Sequence, residues 1–188
     1  GLIMLVERPV RTGDWIVVGA TEGYVKHISI RTTTIQTFDR AEVIVPNSDL
    51  ISGQVTNWTL RSQWGRIKVP VGVAYGSDTA RVKATLLEIV NNHDEIIKDN
   101  PSLPDPSVLF IGFGDSALNF EVRAIVRNIE QRWSVISDIN FAIDAAFREH
   151  GIEIPFPQRD LNFRGPLQIE RDPKGTGEVP DSGAPPQP

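Results

Sequence analysis

The amino-acid sequence predicts an α+β fold in which a small antiparallel β-barrel is followed by an α/β domain and a disordered C-terminal tail. Three changes along the 188 residues lead to this prediction. Residues 9–60 hold short runs of Val, Ile and Thr between close turns, a pattern typical of small barrels. Residues 61–158 alternate strand-like and helix-like segments. Residues 171–188 are dominated by Pro, Gly, Ser and charge, too polar to form a core.

Five short strands make up the predicted barrel. The turn at Gly13 precedes the first strand, and Pro46 ends the fourth because proline lacks the backbone donor that a ladder needs. Side chains alternate between the two faces of a strand. In the second strand we expect Val25, His27 and Ser29 on one face, and Tyr24, Lys26, Ile28 and Ile30 on the other. The strands are predicted at residues 14–18, 22–30, 32–38, 42–45 and 54–59.

The second region is predicted to follow the order β-α-β-β-α-β, the ferredoxin-like arrangement. Ser77 or Asp78 caps its first helix and Gly151 ends its second. The apolar positions of the first helix are Val82, Leu86, Ile89 and Val90, and those of the second are Trp133, Ile136, Ile139, Ile143 and Phe147. Strands are predicted at residues 64–74, 107–112, 117–126 and 152–156, and the helices occupy the intervals after residue 78 and from 130 to 150.

Composition argues against several classes of function. The net charge of −5 opposes a phosphate-binding surface. The absence of cysteine removes disulfides, thiolate ligands and cysteine nucleophiles. His27, His93 and His150 are far apart and form no zinc motif. The glycines of residues 112–115 lack the third glycine of a phosphate loop and fit a hairpin turn. We therefore predict no catalytic, cofactor-binding or metal-binding residue.

Five segments together carry a pattern that is much more specific than any single motif. They are residues 7–16, 23–35, 43–50 with 56–59, 71–78 and 151–159. In this order they resemble the small-conductance mechanosensitive channel (MscS-like) family, and the resemblance covers about residues 1–162. The positions that carry the family pattern, all expected to have structural roles, are Pro9, Gly13, Asp14, Gly23, Pro46, Asn47, Ser48, Asn57, Trp58, Pro155, Pro157 and Gln158.

The resemblance implies a division of the chain into five parts. Residues 1–8 would be the end of a pore helix whose upstream partners are missing, and residues 9–60 the β domain, with an Sm-like barrel. Residues 61–158 would be the ferredoxin-like domain. Residues 159–170, with Leu161, Asn162 and Phe163, would supply a short strand that closes the base of a cage, before the disordered tail 171–188.

The family also implies a function. Such a chain would form the cytoplasmic cage of a plasma-membrane channel that releases ions and small osmolytes on membrane tension during hypoosmotic shock. It would assemble as a homo-oligomer, usually a heptamer, and it would not be an enzyme. Two alternatives stay open on fold-level analogy alone. One is a soluble ligand-binding or regulatory module without a pore; the other is an RNA-binding barrel or sheet with Phe110, Phe113 and Phe120 as stacking residues.

Overall fold

A computed structural model of the protein describes residues 10–159. They form two antiparallel sheets with helices, which confirms the predicted α+β class. The first sheet contains β1 to β5, and helix α1 lies between β4 and β5. Their bounds are Trp15–Val18, Thr21–Ile28, Thr32–Thr37, Glu42–Pro46 and Val55–Asn57 for the strands and Asn47–Ser52 for α1. The second sheet contains β6 (Gly65–Val73), β7 (Ser107–Phe113) and β8 (Leu118–Val126), with helices α2 (Thr79–Asn92) and α3 (Arg132–His150).

The first sheet has the strand order β4-β3-β2-β1-β5 and is open, so the described residues do not form the predicted closed barrel. The reason lies at its two edge strands. Asn47, directly after Pro46, starts the unpredicted helix α1, and α1 carries the chain from β4 to β5. The two edges are therefore joined by a helix and share no ladder of hydrogen bonds.

A β-bulge changes the expected faces of β2. The register between β2 and β3 shifts between Val25 and His27. A bulge inserts one residue and reverses the alternation beyond it. Ile28 therefore packs against the same core cluster as Val25, although the alternation predicted opposite faces. His27 is exposed instead.

The second sheet has the order β6-β8-β7, and α2 and α3 pack against it. The α2 prediction is close, because Val82, Leu86 and Val90 are fully buried and Asp78 accepts hydrogen bonds from the first turn. The predicted stripe of α3 was wrong at its start. Trp133 is exposed, and Val135 takes the core position. Gly151 ends α3 in the left-handed conformation, as predicted.

The fourth strand of the ferredoxin-like order, predicted at residues 152–156, is not formed. One backbone hydrogen bond, from Ala74 N to Glu153 O at 2.9 Å, ties this segment to the end of β6. Pro155 interrupts any continuing ladder because it has no backbone N–H. The predictions for the pore-helix end (residues 1–8), Pro9, the cage-closing strand around residues 161–163 and the tail fall outside the described residues.

Candidate functional site

The structure gathers Gly13, Asp14 and Asn57 at the entrance to β1. Gly13 has a φ of +94°, a conformation that favours glycine. The Asp14 carboxylate oxygen Oδ2 accepts hydrogen bonds from Arg11 N at 2.8 Å and from Asn57 Nδ2 at 2.7 Å. Asp14 is buried and both bonds are partly buried; hydrogen bonds to a charged carboxylate are among the stronger ones. These three signature residues hold the turn before β1 against the edge strand β5.

Gly23 marks a close approach of two strands. A Cβ atom at this position would lie 2.2 Å from Gln36 O on β3. Non-bonded atoms do not approach each other this closely. The obstructing atoms belong to the backbone of β3, which cannot move aside as a side chain could. Only glycine fits here without moving β2 from β3.

Asn47 forms a buried hub beneath the turn that joins β2 to β3. Its Nδ2 donates to Ser29 O at 2.9 Å and to Ile30 O at 3.2 Å, and its Oδ1 accepts from Thr33 Oγ1 at 2.7 Å. Its backbone N donates to Arg31 O at 2.8 Å. Asn47, directly after β4, thus satisfies the turn between β2 and β3. Ser48 is exposed, and its hydroxyl donates to Asp49 Oδ1 at 3.1 Å.

Pro155, Pro157 and Gln158 follow α3 at the end of the described residues. Pro155 is half-buried, and the other two are exposed.

Trp58 belongs to an aromatic cluster at the junction of the two sheets. Its backbone N donates to Trp15 O at 2.9 Å, and the two indole rings lie 5.9 Å apart. Phe38 and Tyr24 also pack against Trp15, with ring centroids 5.4 Å and 6.3 Å away. Trp15 is part of the larger core that contains the second sheet, although it sits on β1. The cluster therefore joins the two halves of the molecule.

Arg132, the first residue of α3, enters this cluster from the second half. Its guanidinium carbon lies 4.6 Å from the Trp15 ring centroid, 4.9 Å from that of Trp133 and 5.7 Å from that of Trp58. Its Nη2 donates to Glu22 Oε1 at 3.5 Å, and the same oxygen accepts from Trp15 Nε1 at 3.1 Å. The electrostatic attraction of a cation to ring faces adds to the ion pair.

A second polar contact crosses the same junction. Burial raises the pKa of the Tyr24 hydroxyl, and the negative charge of Glu130, together with a hydrogen bond to its side chain, raises that pKa further. Glu130 lies in the short 3₁₀ helix Ile129–Gln131 before α3. The hydroxyl therefore stays protonated and can donate to the carboxylate.

Sequence reasoning missed Arg132 and Glu22. Neither stands in a motif, and their contact joins residues 110 positions apart. The spacing of Trp133 fits the apolar stripe of the helix, so the sequence alone gives no signal for this contact. The cluster holds the two halves of the molecule together.

The described residues contain no group of three His, Asp or Glu side chains placed to hold a metal ion. None of the helices between residues 10 and 159 is both long and apolar enough to cross a bilayer.

Two family models match the chain. The one described as "Mechanosensitive ion channel, beta-domain" matches residues 1–60, and the one described as "Mechanosensitive ion channel MscS, C-terminal" matches residues 67–154.

Relatives and solved structures agree with these matches. An uncharacterized MscS family protein of Haemophilus influenzae is 42% identical over 86% of this chain and 14% of its own length. The mechanosensitive channel MscK of Escherichia coli is 38% identical over 97% of this chain and 16% of its own. The crystal structure of Helicobacter pylori MscS in a closed state has a TM-score of 0.78 at 26% identity, over 88% of this chain and 63% of the other. The chain thus spans about a seventh of the length of those two relatives.

Proposed function

The chain belongs to the MscS-like family of mechanosensitive ion channels, and from this membership we propose that it forms part of the cytoplasmic cage of such a channel. In this proposal the membrane-spanning helices belong to the rest of the protein. Tension opens them, and ions and small osmolytes leave the cell through the pore and the cage. The chain itself performs no catalysis. The single observation that carries the proposal is the match of both family models in sequence order.

Self-association, as a homo-oligomer that we propose to be a heptamer, is supported by the open first sheet. Edge strands β4 and β5 each pair on one side only within the described residues. Between them lies a groove of about 680 Å³ lined by β1, β4, α1 and the segment around β5. Ile44 and Ile51 are exposed beside it. Unpaired strand edges with apolar neighbours are surfaces that proteins normally cover, and another copy of the chain would cover them.

The aromatic junction supports a role in which the two halves act as one wall. Arg132 is mostly buried and Glu22 is about one third exposed, and their ion pair ties α3 to β2 across an apolar cluster. The Arg132 cation also lies over the Trp15 and Trp58 rings, which adds to its attraction to Glu22. The β half and the α/β half therefore stay in fixed contact while the pore moves.

An osmotic-shock assay tests the proposal. The full-length protein that contains this chain is expressed in bacteria lacking their own mechanosensitive channels, and survival is counted after transfer to low osmolarity. We expect survival to rise, to fall again with Asn47→Ala, which breaks the hub, and to be unaffected by the neighbouring exposed Ser48→Ala. A membrane-inserted protein that gives no protection would refute the proposal. The family matches and the relatives do not favour the alternative of a ligand-binding module without a pore.

A further inference from the structure

In the described part of the chain, the helices cover one face of the three-stranded sheet, and three cations lie together on the other face. Ile67 of β6 is buried in the core beneath α2 and α3. Arg66 and Lys68, the residues on either side of it, are exposed and therefore lie on the opposite face. Arg123 of β8 stands directly opposite Lys68 in the ladder. We name Arg66, Lys68 and Arg123 the cation cluster.

The arrangement of the cation cluster opposes the stability of the sheet. Directly opposite residues of an antiparallel pair have Cβ atoms about 5 Å apart, and like charges at such positions are destabilising. Arg66 stands opposite Ile125, so it is diagonal to Arg123, at roughly 7–8 Å. None of the ion pairs formed within residues 10–159 includes Arg66 or Lys68. A chain of net charge −5 thus leaves two neighbouring cations unpaired.

The guanidinium of Arg123 is held in one orientation. Its Nε donates to Glu121 Oε1, two residues earlier on the same strand. The Arg123 side chain is 38% exposed and that of Glu121 is 21% exposed. Within the described residues this is the one hydrogen bond that the Arg123 side chain makes, so its Nη1 and Nη2 groups remain available as donors.

A cavity of about 200 Å³ opens beside this guanidinium. Arg66 and Arg123 line it from β6 and β8, while Pro104, Asp105 and Ser107 line it from the start of β7 and the loop before it. Ser107 stands opposite Arg123 in the ladder, and its hydroxyl has no hydrogen-bond partner among the residues described. Pro104 has a fixed φ, which stiffens this wall. Two cations and one hydroxyl therefore border the same small space.

The size and the donors of the cavity indicate a class of ligand. Pockets for drug-sized ligands have volumes of about 300–1,000 Å³, so this cavity is too small for one. A water molecule takes up about 30 Å³ of the liquid, which leaves room for a small ion and a few waters. Arginine donates in a fork that matches the oxygens of phosphate and carboxylate groups. The donors therefore suit a small anion that carries several oxygens.

Asp105 is the one carboxylate among the residues that line the cavity. Its Oδ1 accepts from Asp99 N at 3.1 Å, which ties it to its own loop. It is exposed, so water and salt screen its repulsion of an anion. When Glu121 is also counted, the three cations of the cluster face two carboxylates. The local charge is therefore positive, although the whole chain is acidic.

We propose that this cavity binds a small, doubly charged oxyanion, either phosphate or a dicarboxylate. Arg66 and the Nη groups of Arg123 hold its oxygens, Ser107 donates a further hydrogen bond, and Lys68 attracts it without contact. The bound anion offsets the repulsion between Lys68 and Arg123. This inference goes beyond the proposed function and does not depend on it. In a channel, the site would make the state of the cage sensitive to the concentration of that anion.

Isothermal titration calorimetry of the 188-residue chain with inorganic phosphate tests the site. The buffer is slightly alkaline, so that phosphate is a dianion, and sodium chloride keeps the ionic strength constant. We expect saturable binding of one phosphate per chain. Arg66→Gln should weaken this binding about tenfold or more, as expected for the loss of a hydrogen bond between charged groups. Lys83→Gln, exposed on α2, removes the same charge on the helix-covered side and should change the Kd less than about twofold.

Three further substitutions separate geometry from charge. Ser107→Ala should weaken phosphate binding about threefold to tenfold, the usual effect of one hydrogen bond. Ser102→Ala, exposed in the same loop, is its control and should have no effect. Asp105→Asn keeps the acceptor for Asp99 N but removes a negative charge, so it should tighten binding about twofold to fivefold. Lys68→Gln should weaken binding by a similar factor. Thermal unfolding without ligand confirms that each variant is folded.

Malonate in place of phosphate identifies the source of the anion. Tighter binding of phosphate would assign the cavity to phosphate groups, and tighter binding of malonate would assign it to dicarboxylates. Absence of saturable binding of both probes would overturn the proposal. Equal weakening by Arg66→Gln and Lys83→Gln would also overturn it, because it would indicate diffuse attraction. Weaker binding by Asp105→Asn would contradict an anion site. Each of these results leaves the cage function to the osmotic-shock assay.

Discussion

The two halves of the molecule reach stability in different ways. The five-stranded half, residues 10–60, has a small core cluster: Val10, Ile16, Val25, Ile35, Val45 and Leu50. The three-stranded half, residues 61–157, has a much larger one that also takes in Trp15 of β1. A small core contributes less hydrophobic stabilisation. The five-stranded half therefore depends more on close backbone packing, on buried hydrogen bonds and on its contact with the other half.

The largest difference between the halves is expected from one added methyl group. Gly23→Ala places a Cβ against Gln36 O and must separate β2 from β3. Gly72→Ala in β6 meets side chains alone, Ala117 Cβ at 3.3 Å and Asn119 Oδ1 at 3.9 Å. We expect Gly23→Ala to cost more than about 4 kcal/mol, the range reached by strain at special backbone positions. Gly72→Ala should cost less than about 1.5 kcal/mol. Urea unfolding of both variants measures this, and equal costs would contradict the comparison.

The next effect concerns the polar hub of the five-stranded half. Asn47→Ala leaves the Thr33 hydroxyl and the carbonyls of Ser29 and Ile30 without their partner. Leaving buried polar groups unsatisfied costs about 1–3 kcal/mol, so we expect the free energy of unfolding to fall by that amount. Ser48→Ala, at the next and exposed position, is the control and should stay within about 0.5 kcal/mol. If Asn47→Ala leaves the free energy of unfolding unchanged, the hub does not contribute to stability.

A smaller effect is expected at the junction. Arg132→Met keeps much of the side-chain volume but removes the cation from the Trp15 and Trp58 rings and from Glu22. We expect a loss of about 2 kcal/mol, the upper range for a desolvated cation over aromatic rings, and a separation of the unfolding of the two halves.

Tryptophan fluorescence and far-UV circular dichroism recorded on the same urea series measure this separation. Arg148→Met, an exposed position on the same helix, is the matched control and should leave the two transitions coincident. If the two probes also coincide for Arg132→Met, the junction does not couple the halves.

The smallest effect is expected at high pH. The pKa of Tyr24 is raised in the folded chain above its ordinary value of 10.0. Above pH 10 the unfolded chain loses this proton while the folded chain keeps it, so stability declines as pH rises from 10 toward the raised pKa. Below pH 10 the stabilising effect is complete. Tyr24→Phe should remove this part of the decline, and Tyr75→Phe serves as the control. An unchanged decline in Tyr24→Phe would contradict the contact with Glu130.

The sequence predicted strands and helix ends well wherever neighbouring residues alone determine them. The strands β1 to β8, the Asp78 cap and the Gly151 end of α3 follow from alternation, capping chemistry and glycine conformation. The bulge after Val25 could not be read from alternation, because a bulge leaves the composition of a strand unchanged. Its effect, which places Ile28 in the core beside Val25, depends on the partner strand β3.

The junction could not be predicted for a different reason. Arg132 and Trp133 stand at a helix start, where their spacing fits a core stripe as well as any other role. Their surroundings come from β1 and β2, more than a hundred residues earlier. Distance in sequence also conceals the hub: Asn47 was expected to satisfy backbone groups freed at the end of its own strand, yet it bonds to the turn at residues 29–31. Contacts of long range in sequence are set by the fold, and single-sequence patterns do not record them.

Recording currents from membrane patches tests the cage proposal most directly. The full-length protein that contains this chain would be expressed in cells without their own mechanosensitive channels, and suction would be applied to excised patches. The account predicts currents that open with tension and that are reduced or lost with Gly23→Ala, while Gly72→Ala behaves as the unaltered protein. Patches that contain the protein, yet stay silent up to the tension at which the membrane ruptures, would contradict it.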